Sequence, residues 1–196
     1  MRASPLAARI REAGTGVGVV AAAATVFARL GFADTRVEDI LAEAGVARRT
    51  FYKHFSSKED VLAAVYELAT GELLRAMHEV RSAPHLDAVR RGLDLFLDYH
   101  VENAPLLRVL VEQALLSSSP LAAARARFRD DLVGILDAAV RGATGETHDP
   151  LLYRALLSAL EGVSMELFRE PTPARIANAK RVMHLLLERV VGHRSS

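Results

Sequence analysis

Between Arg48 and Phe55 the chain reads Arg48-Arg49-Thr50-Phe51-Tyr52-Lys53-His54-Phe55, a run rich in cations and hydrogen-bond donors. Guanidinium and ammonium groups suit phosphate oxygens, and arginine can also pair bidentately with a guanine edge. Phe51 and Phe55 are four residues apart, so on a helix they share one side and can be buried together. The other residues then form an outer face. The spacing predicts a turn at Gly45 followed by about two and a half turns of helix. An aromatic foot beneath a cationic edge is what a major-groove reader needs. A solvated basic helix is the alternative, and the residues upstream decide between the two.

Upstream, Thr35 and Glu38 have the spacing of a capping box, which predicts a helix start there. Val37, Ile40, Leu41 and Ala44 follow as a helical apolar stripe. Gly45 stands where that helix must stop, because glycine accepts the left-handed conformation of a C-terminal cap. Helix, glycine turn and basic second helix make a helix-turn-helix. Downstream, Ser56/Glu59 and Ser57/Asp60 both fit a capping box, so a helix starts there in one of two registers. Its apolar positions continue to about Arg81. Lys58 at its N-terminus is placed to meet a phosphate, helped by free backbone amides.

The run from Ala23 to Ile40, with Phe27 and Gly31, together with Gly45-Val46 and Phe51-Tyr52-Lys53-His54-Phe55 through Lys58, resembles the DNA-binding domain of the TetR family of bacterial transcriptional regulators. The resemblance spans about residues 20 to 66. It implies a three-helix head in which Arg48, Arg49 and Thr50 approach base edges. Thr35, Arg36, Tyr52, Lys53, His54 and Lys58 are then the expected phosphate contacts, with Thr35 also a candidate cap. The chain departs from the family pattern at Gly14, Gly16 and Gly18, where a late or frayed first helix is expected. It departs again at Ala47, where the family commonly has a serine or threonine that caps the recognition helix.

Composition bounds the rest. The 196 residues are half apolar, enough for a sizeable core, and contain no cysteine, which excludes disulfides and thiolate chemistry and suits a reducing cytoplasm. With a net charge of +1, any nucleic-acid face must be local. Residues 1–66 carry nine Lys/Arg against seven acids, and the remainder sixteen against seventeen. Arg2, Arg9 and Arg11 make the N-terminal tail either a phosphate-tracking arm or a segment without a role. The apolar run 17–28 is too short for a membrane span, which takes about 20 residues. It is read as the first helix. The seven histidines show no metal-ligand spacing, and no nucleophile elbow or phosphate loop is present. Neither enzyme chemistry nor a cofactor is expected.

Beyond residue 66 every signal is helical, so the fold class is all-α: residues 1–66 a helix-turn-helix domain and residues 67–196 a helical bundle for ligand binding and dimerisation. Breaks are expected at Ser82-Ala83-Pro84, Asn103-Ala104-Pro105, Ser117 to Pro120, a loop from Gly142 to Pro150, and Pro171-Thr172-Pro173. In 151–168 the apolar positions cover most of the circumference, which marks a helix buried on most sides. The resemblance implies that this helix and the final one pair with their symmetry mates in a homodimer, a buried helix pair in a monomeric core being the alternative. Two recognition helices would then meet half-sites of a palindromic operator about 34 Å apart. The resemblance implies a small-molecule effector that releases the DNA. Phe96, His100, Phe128, Glu161 and Met165 are candidate pocket residues, as large or polar groups on apolar faces. A TetR-like activator, a regulator without a small-molecule effector, and a helical enzyme or lipid carrier are the alternatives.

Overall fold

The computed structural model describes residues 15–80 and 86–191, and every regular element among them is a helix. The expectations for the arginine-bearing tail before residue 15 and for the Ser82–Pro84 break lie outside the described residues. The helices are α1 (Thr15–Leu30), α2 (Val37–Ala44), α3 (Arg48–Tyr52), α4 (Lys58–Val80), α5 (Leu86–Glu102), α6 (Ala104–Ala114), α7 (Ala122–Thr144), α8 (Pro150–Arg169) and α9 (Pro173–Val191). None of them is long and apolar enough to cross a membrane.

The chain forms two compact units, one from residues up to Gly71 plus Glu102–Arg125, the other from Glu72–Val101 plus the residues from Ala126 onward. In the first unit the apolar run becomes α1, with Val19, Ala23, Val26 and Phe27 wholly buried. α1 packs against both α2 and α6. Its four consecutive alanines, Ala21 to Ala24, are all buried, and Phe27 and Phe32 close its end with ring centroids 5.5 Å apart. The buried residues of α6 are Leu106, Leu107, Val109, Leu110 and Ala114. The head is thus built with a piece of chain that lies well beyond residue 66.

In the second unit, α5, α7, α8 and α9 surround one apolar core that includes Leu93, Phe96, Leu132, Leu157, Leu160, Met183 and Leu187. α5 and α9 are also joined by a ladder of polar pairs at helical steps of four. Arg90 pairs with Glu188 at 2.6 Å, His184 Nε2 lies 2.9 Å from Asp94 Oδ1, and Lys180 pairs with Asp98 at 2.7 Å. The residue numbers rise on one helix as they fall on the other, as an antiparallel pair requires.

Two boundaries differ from the sequence expectation. The loop expected from Gly142 begins later, because α7 runs on to Thr144, whose hydroxyl donates to the Val140 carbonyl at 2.9 Å. Gly145, at φ 78°, takes the left-handed conformation that stops it. The helix expected to reach Leu116 ends at Ala114, leaving Leu115 and Leu116 exposed.

Candidate nucleic-acid interface

α2 and α3 form the helix-turn-helix. Gly45 adopts φ 65°, ψ 30° as the C-cap of α2, and its N–H donates to the Leu41 carbonyl. The Val46 N–H donates to the same carbonyl at 3.3 Å, so the turn is tied back onto α2 twice. Ala47 is the N-cap of α3 and offers no side-chain cap. Phe51 is wholly buried, and its ring stands 5.8 Å from that of Phe55 and 5.2 Å, edge-on, from that of Tyr52.

α3 itself is shorter than the sequence suggested, five residues instead of two and a half turns. The chain leaves the helix at Lys53, and the His54 and Phe55 N–H groups both converge on the Phe51 carbonyl, at 2.9 and 3.0 Å. That extra turn still delivers Phe55 to the same side as Phe51. The aromatic foot holds, but through a turn at its far end.

Outside this foot, Arg48, Arg49, Tyr52, Lys53 and His54 are exposed, Tyr52 at 49%. Thr50 is half-buried. The side chains of Arg49, Lys53 and His54 make no hydrogen bond or ion pair among the described residues. Arg48 does: its Nη2 donates to Glu38 Oε1 across the turn between the two helices. Sequence reasoning missed this pair, because Glu38 was assigned to the capping box. Arg36 is exposed and stands at the N-cap of α2.

The capping box is displaced by one residue from its expected place. Asp39, not Glu38, closes the start of α2 by accepting the Arg36 N–H at 2.8 Å. Thr35 is buried, with its hydroxyl donated to the Gly31 carbonyl at 2.6 Å. It therefore neither caps α2 nor presents its hydroxyl to a phosphate. Gly31, at φ 80°, ends α1 there, so Thr35 satisfies one of the carbonyls that α1 leaves open.

Lys58 is corrected in the same way. Its Nζ lies 2.7 Å from the Phe32 carbonyl, 2.8 Å from the Thr35 carbonyl and 3.5 Å from the Ala33 carbonyl. An ammonium has three donors, and all three are engaged by backbone. The charge also sits 4.3 Å from the centroid of the Phe32 ring. Lys58 ties the first turn of α4 to the segment between α1 and α2 instead of reaching outward. The start of α4 takes the Ser57/Asp60 register: Ser57 Oγ accepts the Asp60 N–H at 3.1 Å, and Asp60 accepts the Ser56 N–H at 2.9 Å.

The second unit holds an apolar cavity of about 30 Å³, lined among others by Met77, Gly92, Leu93, Leu136, Leu157 and Leu160. None of the five residues expected at a pocket lines it. Phe96 is core, and His100 is buried flat against it with ring centroids 4.1 Å apart and 21° between planes. Phe168 stacks on the other side of His100 at 6.0 Å, and the ring's Nδ1 is 2.8 Å from the Phe96 carbonyl. Burial holds His100 down to a pKa of about 4, opposed only by that backbone hydrogen bond. Glu161 is turned to Arg129, which also donates to Ser158 Oγ at 2.9 Å. Phe128 and Met165 are half-buried. Among the described residues no three His, Asp or Glu side chains are grouped to hold a metal ion.

Residues 19–65 match the family model described as bacterial regulatory proteins, tetR family. The HTH-type transcriptional repressor SCO4008 of Streptomyces coelicolor is 34% identical over 105 residues, 54% of this chain and 52% of that protein. The chain thus spans about half the length of that curated relative. Among solved structures, the TetR family transcriptional regulator PfmR from Thermus thermophilus is 28% identical, with a TM-score of 0.63 over 87% of this chain and 97% of the other. A putative transcriptional regulator from Pseudomonas aeruginosa PAO1 reaches a TM-score of 0.77 at 17% identity, covering 90% of each chain, a likeness of fold.

Proposed function

We infer the function of this chain from its membership of the tetR family of bacterial regulatory proteins: it is a sequence-specific DNA-binding transcriptional repressor, not an enzyme. It acts in the cytoplasm as a homodimer on a palindromic operator in double-stranded DNA. Residues up to about 66 supply the DNA-binding function, and residues 67 onward supply dimerisation and effector binding. The observation that carries this reading is the outer edge of α3. The side chains of Arg49, on α3, and of Lys53 and His54, in the turn that follows it, are exposed and make no hydrogen bond or ion pair among the described residues, and the opposite side is fixed by a wholly buried Phe51. Cationic groups with free donors, on a helix preceded by a glycine-closed turn, are what phosphates and guanine edges require. Arg48, Arg49 and Thr50 meet bases or their neighbours, and Arg36, Tyr52, Lys53 and His54 meet phosphates.

Dimerisation is supported by α8 and α9. Leu151, Val182, Leu185 and Leu186 are exposed in the single chain, and Leu185 is 52% exposed. Apolar side chains of that size, placed on two neighbouring helices, are covered in an assembly. Binding selection from a random DNA pool, followed by mobility shifts on the selected sequence, tests the function. A two-fold symmetric preferred sequence is expected; retention of no sequence over random DNA refutes the reading.

The effector is a small hydrophobic or amphipathic molecule, in keeping with the apolar walls of the cavity in the second unit. At about 30 Å³ it has room for about two waters at roughly 10–15 Å³ each, so a larger ligand must displace side chains. Met77 on its wall is the adaptable one. The ligand must favour the non-binding arrangement of the heads, since equal affinity for both shifts nothing. The small volume also favours a second reading, a regulator that works without a small-molecule effector. Release of the selected DNA by a panel of hydrophobic metabolites and drugs separates the two.

A further inference from the structure

Glu38 is an exposed acid in the first turn of α2, the helix that leads into the proposed DNA-reading edge. An anion there opposes the sequence-blind attraction to phosphates that cations provide. Its partner is Arg48, the first residue of α3, held through Nη2. The two side chains are 56% and 61% exposed. An ion pair this open adds little net stability in water, so holding the two helices together is not its use. Ile40 and Phe51, both wholly buried, do that. Capping is not its use either, because Asp39 closes the helix start.

The pair gains strength where water is removed, because the effective dielectric falls between docked surfaces. Arginine has a planar fork of five donors. Glu38 engages Nη2 only, leaving the donors on Nε and Nη1 for an acceptor on DNA. A free arginine can settle on any phosphate within reach. One held by a carboxylate presents a fixed fork and gives up less side-chain freedom on meeting a base edge.

We propose that Glu38 is a specificity-determining residue: it holds Arg48 in one orientation for base reading while lowering the protein's attraction to DNA of the wrong sequence. The proposal rests on the DNA-binding reading above. Removing the carboxylate therefore has opposite effects on two quantities. Affinity for random DNA rises, because an anion has left the interface. Discrimination at one operator position falls, because Arg48 is no longer held.

The test uses the full chain and four proteins: wild type, Glu38→Ala, Glu38→Gln and Arg48→Ala. Each is put through selection from a random pool and titrated with both the selected duplex and a scrambled one, and melting curves verify the fold. We expect Glu38→Ala and Glu38→Gln to relax preference at the same base-pair position as Arg48→Ala, by on the order of 10-fold. We also expect both Glu38 variants to bind scrambled DNA at least as tightly as wild type. Unchanged preference in the Glu38 variants overturns the proposal. So does a parallel loss of affinity for both duplexes, which would mark a structural role. If wild type selects no sequence, the DNA-binding reading itself has failed, and that result is separate from either of these.

Discussion

The Lys58 ammonium lies over the Phe32 ring at 4.3 Å, with the Phe32 and Thr35 carbonyls at 2.7 and 2.8 Å. A cation so placed fastens the head instead of facing DNA, and salt dependence distinguishes the two roles. Each phosphate contact contributes about 0.9 to the slope of log affinity against log salt. Lys53→Ala is expected to reduce that slope by about 0.9 and to weaken all sequences alike. Lys58→Met is expected to leave the slope unchanged while lowering head stability by about 1.5–3 kcal/mol, the range for hydrogen bonds to a charged group. A matching drop in slope for both variants would put Lys58 on the phosphates.

Arg49 is exposed on the same edge as Lys53 but lies nearer the start of α3. Recognition-helix N-termini point into the groove, so Arg49→Ala should cost about 1–3 kcal/mol on the preferred sequence and relax one position. Quantitative mobility shifts on single-base variants measure this. If Arg49→Ala weakens every sequence equally, Arg49 is a phosphate contact.

Phe51 is the wholly buried residue of α3 and anchors it to the head. Phe51→Ala should cost about 3–5 kcal/mol, the range for removing a buried aromatic ring. The expected outcome is loss of operator binding together with a lower melting temperature of the DNA-binding unit. Retained stability in thermal denaturation would mean that the five-residue helix is fixed by other contacts.

His100 makes the second unit acid-sensitive. Its ring takes a proton near pH 6.5 when unfolded and near pH 4 when buried between Phe96 and Phe168. Between those values the unfolded chain binds more protons, so stability rises with pH across this window and is lost as pH falls through it. The loss is on the order of 3 kcal/mol by about pH 4. Above about pH 6.5 the effect vanishes. His100→Phe should flatten the acid limb of a stability–pH profile measured by chemical denaturation, and an unchanged limb would mean the ring is not the responsible group.

Leu185 on α9 is half-exposed in the single chain. If α8 and α9 cover each other's partners in a dimer, Leu185→Asp places a charge in an apolar seam and should shift sedimentation from dimer to monomer at micromolar concentration. Operator binding should fall with it, since each half-site then binds alone. A dimer that survives this substitution assembles through another face.

Periodicity made most of the architecture legible. The stripe Val37, Ile40, Leu41, Ala44 ended by Gly45 was enough to locate the turn, and the aromatic spacing of Phe51 and Phe55 identified the inward face. What escaped the sequence depends on partners far away in the chain. Thr35 reads as the cap of the second helix until the Gly31 carbonyl at the end of α1 takes its hydroxyl. Lys58 reads as an outward cation until a segment 26 residues earlier supplies its acceptors. Glu161 reads as a pocket acid until Arg129, on another helix, claims it. A polar residue's type and spacing tell what it can do, and its neighbours in space tell what it does.

α3 has only five residues. Isolated helices shorter than about 12–15 residues are marginal in water, so this one borrows its shape from Phe51, the glycine turn and the α2 end. A synthetic fragment carrying residues 45–56 would be shapeless and blind to sequence. Transplanting the reading edge into another scaffold would succeed only if the aromatic seat travels with it.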